Sequence, residues 1–441
     1  MNGSSHLRDA KDAFRVNPWL MCLILAAFAG AAVSYSYLYA YHVIAVIYLW
    51  YARKHWVWVF RNGRGLLTQP LVLFPIISIV WYAAWTLFAN DPALTLQYMV
   101  YISCGFFVVT VLIVESLRPK EDARRITTEG IFRTLACVAI LEIAVGLLEI
   151  FTPFRWPVSR LSPILHWFGR TTDITNEVLL ATDTNYLYSM PTGLHYNPND
   201  FAAVMCLVFP FLWLMRNRTG ALLWALTIVL LIVESGSRLA FFSLCFMAVS
   251  ETLISLTRFS WHKLVLLGLL LFVASDGFFV TPTHHPKVEE LAFLNPKDKM
   301  LSGGREESAG MRRDLFYAGI EMVKQDPLLG KGPGGARRAL LAMRGVGKEH
   351  LVDLHFYWLE LAVDMGLLYA LLFALWYGFI AWSLWKLIKR SSLERKYVPQ
   401  ALFLALVGFG MAGVAPSSLV YFLPMYLAFG LSLWTIKTER V

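Results

Sequence analysis

The feature that most constrains this chain is the recurrence, along almost its whole length, of apolar stretches near the ~20 residues needed to cross the hydrocarbon of a bilayer. With 57% hydrophobic residues, only 16% charged residues and 16 Trp, the chain belongs with polytopic membrane proteins and not with soluble domains. The stretches predict an all-α polytopic membrane protein with about twelve transmembrane helices. They fall at 19–34, 38–51, 70–88, 94–114, 131–151, 201–215, 221–233, 240–256, 264–280, 357–385, 401–415 and 420–436. The first two are separated by little more than a turn and stand either as two helices or as one irregular pair.

Basic residues set the orientation. Arg8, Lys11 and Arg15 precede the first stretch, Arg53, Lys54, Arg61 and Arg64 follow the second, and Arg118, Lys120, Arg124 and Arg125 follow the fourth. Arg216 and Arg218, then Arg258 and Lys263, then Lys386, Lys389, Arg390, Arg395 and Lys396 continue the alternation to Lys437 and Arg440. The alternate loops around Asn90 and Pro416 carry no Lys or Arg. The positive-inside rule then makes both termini cytoplasmic. It divides the chain into N-terminal helices with a first outer loop (1–192), central helices (193–280), a long outer loop (281–353) and C-terminal helices (354–441).

The formal charge of +9 is mostly accounted for by topology and by contact with anionic lipid head groups, so nucleic acid is not implied. The long outer loop is the exception, since it holds about a dozen Lys and Arg against the topological bias and asks for a functional account. Cys22, Cys104, Cys137, Cys206 and Cys245 all fall in predicted helices and read as small core residues, with neither disulfides nor a metal cluster indicated. The polar start MNGSSHLRDAKDAF lacks a convincing small-residue cleavage site and reads as retained.

Two outer loops are long enough to fold. In the first, Trp156, Pro157, Pro163 and Trp167 flank an amphipathic run, Leu161 to Phe168, that reads as an interfacial helix. In the second, Leu315, Phe316, Ile320 and Met322 give an amphipathic helix over 311–324, ended by Asp326-Pro327. A second, basic helix is predicted over 336–344.

The polar residues between helices suggest chemistry on an anionic, lipid-borne substrate. Gly330-Lys331-Gly332-Pro333-Gly334-Gly335, just before a helix start, is either a flexible turn or a backbone site for phosphate. It is not a Walker sequence, lacking the Gly-Lys-Ser/Thr ending. Arg238, after Ser235-Gly236-Ser237, is either an interface anchor by snorkelling or an anion ligand. Arg312 opens its predicted helix, where the dipole disfavours a cation, and that placement hints at a partner anion. His355 stands where the long loop meets a membrane helix, followed by Phe356, Tyr357 and Trp358. It is either a packed core histidine or, with an ordinary pKa near ~6.5, the acceptor of a proton from a sugar hydroxyl. His284-His285 with Glu289 and Glu290 matches no zinc spacing, so no metal is expected.

Taken in order, these residues resemble the superfamily of O-antigen ligases and O-antigen or exopolysaccharide polymerases of bacterial envelopes. The resemblance is carried by Tyr196-Asn197-Pro198-Asn199-Asp200-Phe201-Ala202, then Ser237-Arg238, then Arg312 with Asp314-Leu315-Phe316. It continues through Pro327-Leu328-Leu329-Gly330-Lys331-Gly332 to His355, Trp358-Leu359 and Met365-Gly366-Leu367-Leu368, spanning roughly 193–373. One departure is Phe356, where such proteins usually have Asn directly after the histidine. It leaves the choice between ligase and polymerase open.

The resemblance implies a metal-independent inverting glycosyltransferase without cofactor, in the bacterial inner membrane with its active site on the periplasmic face. It implies a donor glycan on undecaprenyl diphosphate and a lipid- or polymer-borne sugar acceptor. Arg238 and Arg312 would hold the diphosphate, His355 would serve the acceptor hydroxyl or the leaving group, and Asn199, Ser237, Gly330 and Gly332 would support them. Guanidiniums suit charge building on a departing diphosphate. A flippase or exporter of lipid-linked glycans is the alternative, and it calls for charges buried at mid-membrane. Here most helix centres are apolar, with Glu142 and Glu149 the main exceptions.

Overall fold

The computed structural model describes residues 17–62, 69–89, 91–119, 122, 126–170, 189–215, 217–254, 263, 265–268, 270, 304–342, 353–392, 396–413, 418 and 420–439, with only the backbone course given for 304–313. Its helices are α1 Pro18–Ala29, α2 Ala40–Asn62, α3 Pro70–Thr86, α4 Pro92–Ser116, α5 Thr128–Phe151, α6 Pro198–Trp213, α7 Arg218–Glu234 and α8 Arg238–Ile254. They continue with α9 Gly304–Gln325, α10 Gly335–Ala342, α11 Tyr357–Arg390, α12 Tyr397–Ala412 and α13 Leu423–Thr438. Helix starts follow local chemistry. Asn17 accepts from Leu20 N (3.2 Å) before Pro18, and Asp91 accepts from Leu94 N (3.1 Å) before Pro92; each cap satisfies an otherwise orphaned donor, and proline suits the first turn.

Among the described residues, α4, α5 and α11 are long and apolar enough to cross a membrane, and α1, α3, α6 and α12 are shorter apolar helices. Along α11, Leu368, Leu371, Leu372, Leu375, Phe379 and Trp382 are exposed. A stripe of that kind at helical spacing belongs against lipid and not water. The architecture is thus that of an all-α membrane protein.

The chain divides into two compact units. The first comprises Met1–Glu142, Leu375–Phe403 and Val420–Val441. Its core forms where α4 meets α13: a Cβ at Gly105 would come within 2.5 Å of the Tyr426 ring, and one at Gly430 within 2.6 Å of Leu112. Trp376 stacks on Phe74 (5.0 Å) and meets Phe429 edge-on (4.9 Å). The buried Glu115 carboxylate takes bonds from Arg118 Nε and Nη2 (both 2.8 Å) and from Tyr48 (2.7 Å), tying α2 to the end of α4. A buried acid is tolerated there because it is paired and bonded on both oxygens.

The second unit comprises Ile143–Ala374 and Leu404–Leu419 and contains every candidate site residue. Between α1 and α2, in the first unit, lies a short hairpin pairing Ser34 with Tyr39 and Tyr35 with Leu38, so these are two helices and not an irregular pair. The expected interfacial helix over 161–168 is instead a single 3-10 turn, Leu165–Phe168. Pro157 and Pro163 cannot donate to a helical ladder, and the segment is held by buried Val158, Leu161 and Leu165. The helix expected over 311–324 begins at Gly304, about two turns earlier. Arg312 therefore lies inside α9 and does not open it. Most of the stretch expected over 264–280, the His284-His285 pair and Glu289-Glu290 lie outside the described residues.

Candidate functional site

The site is built where the chain returns from the long loop. Leu354 and Tyr357 are buried on either side of half-buried His355, and the backbone turns at His355 with φ 51°. A non-glycine residue in the left-handed region persists only where its surroundings over-determine it. Here the surroundings are explicit. The Phe356 ring packs edge-on against Phe316 of α9 at 5.5 Å. Trp358 donates from its indole to Gly410 O (3.2 Å), and the rings of Tyr357 and Trp358 both meet Phe373.

The same packing brings α9 onto α11. Leu315 and Met322 of α9, Ala336 and Leu340 of α10, and Leu354, Leu359 and Val363 form one apolar core. Gly319 permits the close approach, since a Cβ there would lie 2.5 Å from Leu359 Cδ2. Arg312 stands one turn before Phe316, and residues four apart share a helix face; its side chain is not among those described. Phe356 thus has an apolar job, as the partner of Phe316.

Between α9 and α10 the glycine run wraps a break in α11. Gly366 has φ 81° and ψ 164° inside that helix, a break that the continuous apolar run Met365-Gly366-Leu367-Leu368 conceals. Leu367 N donates to Pro327 O, Lys331 N to Val363 O and Gly332 N to Asp364 O, each at 2.8 Å. Gly330, at φ 74°, has no room for a Cβ, which would lie 2.5 Å from Gly366 N, and a Cβ at Gly366 would overlap Leu328 O. Asp364 completes the arrangement: its Oδ2 accepts from Gly334 N (2.9 Å) and its Oδ1 from Ala336 N (2.7 Å). The backbone donors read from the sequence as suited to phosphate therefore meet a carboxylate of the chain's own.

Arg238 and Ser237 lie in the same unit, at the start of α8. Ser237 O accepts from Phe241 N (3.1 Å), while its buried hydroxyl has no hydrogen-bond partner among the described residues. Half-buried Arg238 is the first residue of α8, where helical N–H groups and guanidinium together favour an anion. Asn199 sits in the first turn of α6, but the cap there is Asn197, which accepts from Asp200 N (2.9 Å) and donates to Asp200 Oδ2 (2.8 Å).

Three acids carry structural work that sequence reasoning did not assign. Glu149, marked only as an exception among apolar residues, accepts from Thr192 N (2.6 Å), Gly193 N (2.8 Å) and Trp156 N (3.2 Å), pinning both ends of the first loop to α5. Arg155 donates to Glu149 O (2.7 Å); burial lowers its pKa from the ordinary guanidinium value, with the Glu149 charge opposing. Glu360 accepts from Ser418 Oγ (2.8 Å) through Oε1, and its buried Oε2 has no partner among the described residues. Asp364 and Glu360 sit in an apolar run, and that was the signal available: a buried acid needs a donor set.

These features define a class: an all-α membrane protein whose loop-to-helix junction carries a histidine next to a phenylalanine that packs on an arginine-bearing helix. The sequence model of the family described as "O-Antigen ligase" matches residues 221–374, a span that takes in Arg238, Arg312, the glycine run and His355. The teichuronic acid biosynthesis protein TuaE of Bacillus subtilis (strain 168) is 21% identical over 366 residues, covering 81% of this chain and 70% of that protein. The resemblance to the O-antigen ligase and polymerase superfamily holds on both comparisons. They support a membrane glycosyltransferase of the ligase or polymerase type in polysaccharide assembly.

Proposed function

We propose that this protein moves a glycan from undecaprenyl diphosphate to a hydroxyl acceptor during surface polysaccharide assembly, on the periplasmic face of the bacterial inner membrane, without a metal. About twelve spans with both termini cytoplasmic are part of this reading, as the alternation of basic loops requires. The acceptor oxygen attacks the anomeric carbon of the donor sugar, the bond from that carbon to the diphosphate oxygen breaks, and undecaprenyl diphosphate leaves with the electron pair. His355 takes the acceptor proton, a task worth ~10²-fold to ~10⁴-fold in rate for a well-placed base. Arg238 and Arg312 neutralise the charge building on the leaving diphosphate, where bidentate guanidinium contacts are strongest. Asn199 and Ser237 support the arginine side of the site; Gly330 and Gly332 hold the loop.

The observation that carries this reading is the ring pair Phe316–Phe356, which brings the helix of Arg312 against the residue next to His355. The test uses purified protein in nanodiscs with undecaprenyl-diphosphate-linked glycan and acceptor. Arg312→Ala is expected to abolish transfer at normal protein level, and Arg312→Lys to restore little, because a point charge does not reproduce the fork of a guanidinium. Wild-type transfer by Arg312→Ala would remove Arg312 from the site.

A further inference from the structure

The glycine run between α9 and α10 ends at a helix N-terminus, a place that commonly receives the phosphate of a ligand. In this chain the donors are taken. Gly334 N and Ala336 N both point at the Asp364 carboxylate, Gly332 N at the Asp364 carbonyl and Lys331 N at the Val363 carbonyl. Asp364 is 2% exposed, so a diphosphate reaches these donors only by displacing a buried carboxylate and opening the packing of Gly330 on Gly366.

The residues on either side of this contact are the ones the proposed chemistry uses. The run follows α9, the helix of Arg312, by a short turn at Asp326–Leu329; Asp364 lies on α11, two and a half turns past His355. A carboxylate bonded to two backbone N–H groups is charge-assisted and directional, and the Gly330–Gly366 contact fixes the depth at which the loop seats. We propose that Asp364 is a positioning residue: its carboxylate is the resident anion of the glycine run, and by seating that run on the broken helix α11 it sets the Arg312-bearing helix in register with His355. This rests on the glycosyltransferase reading for its catalytic half. Its structural half stands apart from it. The glycine run is then a joint and not a phosphate site.

The experiment compares wild type, Asp364→Asn and Gly366→Ala, all full length in nanodiscs. Asp364→Asn keeps size and one acceptor but replaces the other oxygen with a donor that faces an N–H. Gly366→Ala keeps the carboxylate and unseats the loop by driving a Cβ into Leu328 O. Amide exchange over residues 331–336 is expected to rise by about tenfold or more in both variants, with α4 and α13 unchanged. Transfer from undecaprenyl-diphosphate-linked glycan is expected to lose roughly 10²-fold in kcat, the scale of a misplacement near 1 Å. The donor KM is expected to stay within about threefold, because no ligand of the donor has been removed. A variant with a loosened loop and wild-type kcat overturns the positioning role. A lowered donor KM with kcat retained in Asp364→Asn also overturns it, because the run would then be a phosphate site that Asp364 shields. Unchanged exchange over 331–336 in both variants overturns the joint itself. If wild-type protein transfers no glycan at all, the function proposed above fails, while the exchange measurement still decides whether Asp364 holds the loop.

Discussion

At the scale of single residues, backbone and side chain make separable demands at His355. Its φ of 51° suits Asn and Gly better than Ala, so His355→Ala mixes strain with lost chemistry. His355→Asn keeps the backbone preference and removes the base. It is expected to leave thermal unfolding within a few degrees of wild type while turnover falls by ~10²-fold or more with little change in donor binding; near-normal transfer per folded molecule would make His355 a packed residue. Glu149 predicts the opposite pattern. Glu149→Gln exchanges one accepting oxygen for a donor among N–H groups, with an expected loss of about 1–3 kcal/mol, read as a lowered unfolding midpoint in detergent. Candidate site residues were legible because arginine, histidine and glycine are conspicuous between apolar stretches. Glu149, Glu360 and Asp364 were not, since what an acid in an apolar helix bonds to depends on segments 28 or more residues away.

At the scale of elements, helix positions are legible wherever a cap and a proline precede an apolar run, as at Asn17-Pro18, Asp91-Pro92 and Asn197-Pro198. The 3-10 turn at Leu165–Phe168 is not, because apolar periodicity over so few residues is satisfied equally by an irregular segment pinned from below. The break at Gly366 is hidden for a related reason: the partners that meet the chain there, Leu328 O against Gly366 and Pro327 O accepting from Leu367 N, lie in a turn far away in sequence. Helix contacts in the first unit depend on small residues in the same way. Gly105→Ala places a methyl group against the face of Tyr426, a buried ring packed against Phe106 and Phe429. The substitution is expected to cost about 1–3 kcal/mol of stability, seen as a lower unfolding midpoint; an unchanged midpoint would mean that α13 shifts freely along α4.

At the scale of the whole molecule, topology and chemistry have to agree. Exposed Lys324 on α9 belongs to the loop that the basic-residue pattern assigns to the outer side. A cysteine introduced by Lys324→Cys is expected to react with an impermeant maleimide in spheroplasts with intact inner membranes; labelling only after permeabilisation would reverse the orientation. A deletion strain separates the two activities of the superfamily, because loss of all high-mass polymer marks a polymerase and retention of lipid-linked polymer marks a ligase.

The break at Gly366 also decides depth. Helix α11 has 34 residues, which at ~1.5 Å each is about 51 Å, far more than the ~30 Å of a hydrocarbon layer. The part after the break, 367–390, is about 36 Å and crosses such a layer unaided. The short part before it, 357–365, is then surplus to the crossing. In the membrane placement proposed above, this surplus puts His355, Glu360 and Asp364 at the level of the head groups. For the donor proposed above, that level lets a hydrophilic sugar arrive from solvent while a polyprenyl tail stays in the leaflet, so that only the diphosphate between them has to meet protein.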